Sequence, residues 1–141
     1  MRIVAPIYLL LMLAACGDDA SGDGGQAGVD GGDSAAPSFD PVWAMFEARG
    51  CGSAFCHGAG QGELLMFDAS GTYEALVDVQ AAGVDCAPGG KTRVAPGDAE
   101  ASLLVEKMRP DPSCGDVMPA DGNDDADIQL VVDWIESGAA R

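Results

Sequence analysis

The chain has 141 residues, 48% of them apolar, with 23 acidic and 7 basic side chains and a formal net charge of −16, which leaves room for one ordinary domain and excludes a two-domain enzyme. Such a charge repels phosphate backbones and anionic head groups, so nucleic-acid binding and electrostatic membrane adsorption lack a driving force; a charged partner would be basic. Twenty glycines and only 6% aromatic residues mark part of the chain as unpacked and concentrate the core in the remainder.

In chain order, residues 1–15 come first as an export signal: one early cation at Arg2, an apolar run from Ile3 to Leu13, and small residues before Cys16. The run is too short for a comfortable transmembrane helix, which needs about 20 apolar residues. Leu13-Ala14-Ala15-Cys16 resembles the bacterial lipobox. That resemblance implies lipidation of Cys16 and a mature lipoprotein anchored by several acyl chains to the cell envelope, facing the periplasm or in the outer membrane. Residues 17–141 hold every acid and six of the seven bases, a net −17.

Residues 16–39 form an acidic tether rich in glycine and aspartate. Five aspartates lie between Gly17 and Ser38, and Val29 stands alone, so nothing offsets the entropy of ordering. The aspartates lack the strict nonapeptide repeat of a calcium-binding array and are read as solvation.

The folded domain, residues 40–141, is predicted to be all-α: four short helices joined by long loops, with no alternation long enough for a sheet. The first opens on Asp40 as N-cap and Pro41 at the first helical position, carries Val42, Trp43, Met45 and Phe46, and stops at Gly50. The second runs from Thr72, as cap, to about Ala81, with Tyr73, Leu76, Val77 and Gln80 at helical spacing. The third follows Asp98 as cap, with Leu103, Leu104 and Met108 on one face, and ends before Pro110. The fourth follows Asp124, with Ile128, Val131, Val132 and Ile135 at i, i+3, i+4 and i+7. Trp43 and Trp134 are assigned to a crossing of the first and last helices. Loops this long usually wrap a group or are stapled.

The chemistry concentrates in Cys51-Gly52-Ser53-Ala54-Phe55-Cys56-His57, which contains the only histidine. This is a haem-attachment C-x-x-C-H motif stretched to a four-residue spacer; small, permissive Gly52, Ser53 and Ala54 let the two extra residues bulge outward. Met118-Pro119 follows in a loop just before the last helix. A helix, the C…CH motif, irregular loops, a Met-Pro loop and an aromatic terminal helix together resemble a class I cytochrome c. Residues 40–139 are similar to the cytochrome-c-like domains of large-genome bacterial lipoproteins of myxobacterial and planctomycete type. The segments carrying the likeness are CGSAFCHG, RVAPGDAEASLLVEKM, CGDVMP and ADIQLVVDWIESGA.

The resemblance implies one covalent haem c, thioethers at Cys51 and Cys56, His57 as proximal ligand and Met118 as distal ligand. It implies an electron carrier, not an enzyme, that meets a basic redox partner by electrostatic steering. Met66 is the second candidate for the distal position; Met45 and Met108 sit on helical apolar faces and are assigned to the core. Cys86 and Cys114 remain as a pair whose disulfide would brace the Met118 loop, worth about 3 kcal/mol if unstrained. Four cysteines allow three pairings, and a Cys51 to Cys56 disulfide with no haem defines the alternative: a disulfide-stapled envelope lipoprotein acting as a binding or structural module.

Several weaker signals are set aside. Asp121 to Asp127 fails the EF-hand pattern at Ala126 and Val132, so its acids are read as solvation and capping. Gly58 to Gly62 lacks the strand and lysine of a phosphate loop. Adjacent Cys56 and His57 point poorly at one tetrahedral zinc. Arg93 is a candidate partner for a haem propionate, and otherwise, like Lys91, an ordinary surface charge.

Overall fold

The computed structural model describes residues 36–58 and 63–141. The export signal, Cys16 and nearly all of the tether lie outside the described residues. The described residues form helices α1 (Asp40–Ala48), α2 (Ala69–Leu76), α3 (Leu103–Met108) and α4 (Asp125–Glu136) and a 3-10 turn at Ala87–Gly89, with no strand among them. The all-α expectation therefore holds. Pairing is limited to isolated bridges such as Val77 with Val94 and Gln80 with Thr92. None of the helices among the described residues is long and apolar enough to cross a membrane.

The core is built where α1 crosses α4, with α3 packed on α4. Trp134 is fully buried at its centre, its ring 5.1 Å from Phe39 and 6.4 Å from Tyr73, and its Nε1–H donates to the Ala140 carbonyl at 2.7 Å. Tyr73 donates its hydroxyl to the Ala139 carbonyl at 3.0 Å, so α2 and the chain end close over the same aromatic cluster. Met45 and Met108 are buried as expected, and Trp43 is only partly buried against the cluster.

Three of the four helix starts differ from their sequence expectation, and the fourth keeps its cap position without its capping bond. Phe39, assigned to the tether, is 2% exposed. It is the N-cap of α1, with near-helical dihedrals and its carbonyl accepting from the Trp43 amide at 2.8 Å; aromatic packing draws the helix one residue upstream, so Asp40 is not the cap. For α2 the cap is Asp68, whose carboxylate accepts from the Gly71 amide at 2.8 Å, and Thr72 is buried inside the helix. This helix stops at Leu76, not Ala81, because Val77 turns extended to meet Val94 and Asp78 donates its amide to the Val94 carbonyl. The N-cap of α3 is Ser102. Asp98 caps a separate turn ahead of it through the Ala101 amide at 2.9 Å. Asp124 does occupy the N-cap position of α4, but its carboxylate makes no capping bond there.

Candidate functional site

The Cys51–His57 loop, the candidate attachment loop, is set by how α1 ends. Gly50 adopts a positive φ of 69°, its amide donates to the Glu47 carbonyl and the Cys51 amide donates to the Phe46 carbonyl, both at 3.0 Å. This is a Schellman closure, which only a left-handed residue permits. It delivers Cys51 half-buried against the core. The chain then coils on itself: the His57 amide donates back to the Cys51 carbonyl at 2.9 Å, and the Cys56 and Gly58 amides both donate to the Ser53 carbonyl. The four-residue spacer is thus taken up by an extra tight turn whose residues 52–56 are all exposed. A Cβ at Gly58 would stand 2.1 Å from the Gly52 carbonyl oxygen, and one at Gly52 would stand 2.6 Å from the Met66 carbonyl oxygen. Glycine is needed at both for close backbone approach.

His57 is held from two sides. Its carbonyl accepts from the Met66 amide at 2.9 Å, and its Nδ1 lies 2.8 Å from the Leu64 carbonyl oxygen. A carbonyl only accepts, so the neutral tautomer that makes this bond carries its proton on Nδ1 and its lone pair on Nε2. Orientation of an imidazole by a carbonyl on its other nitrogen is how a metal-binding histidine is usually fixed. Cys51 and Cys56 are both free thiols. Burial, and secondarily the neighbouring Cys56, push the Cys51 thiol up, so it stays protonated at neutral pH.

Met118 lies on a second segment, 109–124, strung along α3. Its amide donates to the Lys107 carbonyl at 2.8 Å, Lys107 Nζ donates to the Asp116 carbonyl at 3.0 Å, and Asn123 Nδ2 donates to the carbonyls of Met118 at 2.9 Å and Met108 at 3.0 Å. The backbone at Met118 is therefore fixed on both sides while the residue is 42% exposed. Met66 is 5% exposed and packed in the core. Cys86 and Cys114 are joined, with Cα atoms 5.3 Å apart, and this disulfide anchors the start of the Met118 segment.

Arg49 joins the two segments. Its Nε donates to Asp127 and its terminal nitrogen to Asp124, both at 2.6 Å. The large apolar residues exposed among the described residues are Phe55 in the Cys51–His57 coil, Leu65 and Phe67 beside the Leu64 carbonyl that holds the His57 ring, Met118 on the second segment, and Val84. An open cleft of about 270 Å³ beside the attachment loop is lined by Trp43, Phe46, Glu47, Gly52, Met66 and Phe67. No three His, Cys, Asp or Glu side chains among the described residues group to hold a metal ion; an iron held by one imidazole and one thioether needs no such group.

Comparison with models of protein families, with curated proteins and with solved structures gives no match. The site rests on its own geometry. Residues that sequence reasoning missed are Arg49, Asn123 and Glu106. Arg49 alone carried a signal, as one of the chain's few cations two positions before Cys51. Arg93, considered above as a propionate partner or a surface charge, donates to the carbonyls of Ala75 at 2.8 Å and Glu63 at 3.1 Å and works as a strut.

Glu106 on α3 accepts from Lys91 and from the Ser113 amide, and Lys91 also donates to the Ser113 hydroxyl at 2.7 Å. Lys91, then Ser113, hold the Glu106 carboxyl at about 2, below its ordinary 4.5. A carboxyl depressed on folding stabilises above its unfolded pKa, and that contribution fades as pH falls from about 4.5 through about 2. Thermal melts should therefore show Glu106→Gln costing about 1–2 kcal/mol at neutral pH, screened by its partial exposure, and almost nothing at pH 2. A constant difference across that range would remove Glu106 from this role.

Proposed function

We propose that the folded part is an electron-transfer protein of the cytochrome c kind, carrying one covalent haem and held to the cell envelope by lipid on Cys16. The observation that carries the proposal is the His57 ring, with Nδ1 bound to the Leu64 carbonyl and Nε2 without a partner among the described residues. It is flanked by two free thiols in one coil. Cys51 and Cys56 would attach the haem, His57 would hold the iron through Nε2, and Met118 would be the second protein ligand; the core position of Met66 favours Met118 over it. When bound, the haem supplies one-electron redox chemistry. The chain's own part is to fix the ligands, to exclude water with apolar side chains, and to present a strongly acidic surface. A basic redox partner would be steered to that surface, at rates that fall as salt rises.

The test is pigment. Protein exported from a cell able to attach c-type haem should gain the mass of one haem, show a Soret band and keep its colour through acid acetone. Met118→Ala should then shift the spectrum and lower the midpoint potential, and an unaltered spectrum would take Met118 out of the ligand role. A colourless protein with Cys51 joined to Cys56 overturns the proposal in favour of the haem-free, disulfide-stapled envelope lipoprotein.

A further inference from the structure

We infer that Arg49 is a positioning residue that locks the attachment loop to the Met118 segment, so that the proposed ligands His57 and Met118 are presented as a unit. The inference rests on the haem proposal for its function, while the coupling itself is a property of the chain. Arg49 sits at the C-terminal end of α1, one residue before the Gly50 turn that places Cys51. Its guanidinium takes Asp124 and Asp127 together. Asp124 directly follows Asn123, whose amide nitrogen holds the Met118 carbonyl. A continuous path of covalent and hydrogen bonds thus runs from Cys51 through Arg49, Asp124 and Asn123 to Met118.

Two features separate this contact from an incidental surface pair. The Arg49 and Asp127 side chains are 29% and 20% exposed, so solvent screens that pair less than a free one, while Asp124 is 74% exposed. Arginine suits the task because its rigid fork serves two carboxylates at once, which a single ammonium does poorly. Asp124, at the α4 N-cap, makes no capping bond; its carboxylate is turned to Arg49 instead.

The experiment uses the full exported chain, as wild type, Arg49→Gln, Arg49→Lys and Asp127→Asn. Amide hydrogen exchange is read at Cys51 and at Met118; in the pigmented protein, the thioether-to-iron charge-transfer band and midpoint potential are read as well. Arg49→Gln should speed exchange at both amides together by roughly threefold to tenfold, with helix content unchanged, and should lose much of the thioether band and lower the potential. Arg49→Lys and Asp127→Asn should fall between. If Arg49→Gln speeds exchange at Cys51 alone, or leaves band and potential at wild-type values, the coupling is overturned. Should Arg49→Gln fail to fold, Asp127→Asn decides by the same readouts. A colourless wild type sinks the haem proposal only, because exchange at the two amides still reports the coupling.

Discussion

Replacing Gly58 by alanine is expected to give a protein with native helix content that carries little or no haem. The added Cβ would meet the Gly52 carbonyl oxygen at 2.1 Å and two backbone carbons at 2.9 Å, and a backbone cannot move aside as the end of a flexible side chain can. Overpacking of this kind costs about 1–3 kcal/mol, and 1.4 kcal/mol is already a factor of ten in an equilibrium. The Gly58 amide bond to Ser53 and the His57 amide bond to Cys51 are the contacts nearest the collision, so the coil opens where His57 leaves it. Both thiols and the imidazole would survive, but not their arrangement. The haem-to-protein ratio of Gly58→Ala against wild type, with far-ultraviolet circular dichroism as control, decides the matter. Full loading would show that the coil is not needed to bring Cys51, Cys56 and His57 together.

Much of this was legible in the chain because it depended on local signals. Gly50 as terminator of α1, the helical stripe of α4 and the all-α class follow from residue types at fixed offsets, and the structure keeps them. The helix starts were less legible, since they turn on tertiary contacts: Phe39 looks like the end of a polar tether until Phe46, Tyr73 and Trp134 surround it. Val77 has helical spacing from Tyr73, yet its bridge to Val94 ends α2 earlier than periodicity suggests. At the site, the clustering of Cys51, Cys56 and His57 is sequence-local and could be read directly. The orientation of the ring could not, because it depends on the Leu64 carbonyl seven residues on. Nor could the tie from Arg49 to Asp127, across 78 residues; in a chain with 23 acids, sequence alone does not say which of them a given cation will choose.

The largest loss of stability should come from Trp134→Ala. The side chain is fully buried and touches the aromatic rings of both Phe39 and Tyr73, so its removal empties the crossing of α1 and α4. Tryptophan-to-alanine changes in cores cost about 3–5 kcal/mol, against a total of about 5–15 kcal/mol for a whole domain. The Ala140 carbonyl also loses its donor, which adds to the cost because a partly buried acceptor is left unpaired. For a domain of this size each kcal/mol lowers Tm by roughly 4–8 °C, so the melting point should fall by roughly 15 °C or more. Trp134→Phe keeps most of the apolar surface and loses the N–H, so it should sit much nearer the wild type and separate packing from hydrogen bonding. If Trp134→Ala melts within roughly 5 °C of wild type, about the cost of a single kcal/mol, the aromatic crossing is not what holds the fold. The consequence reaches the site, because α1 carries Cys51 and Arg49 at one end while α4 carries Asp127. Loosening their crossing separates the anchors of the segments that carry His57 and Met118, and under the proposed function haem retention should fall in step with the melting point.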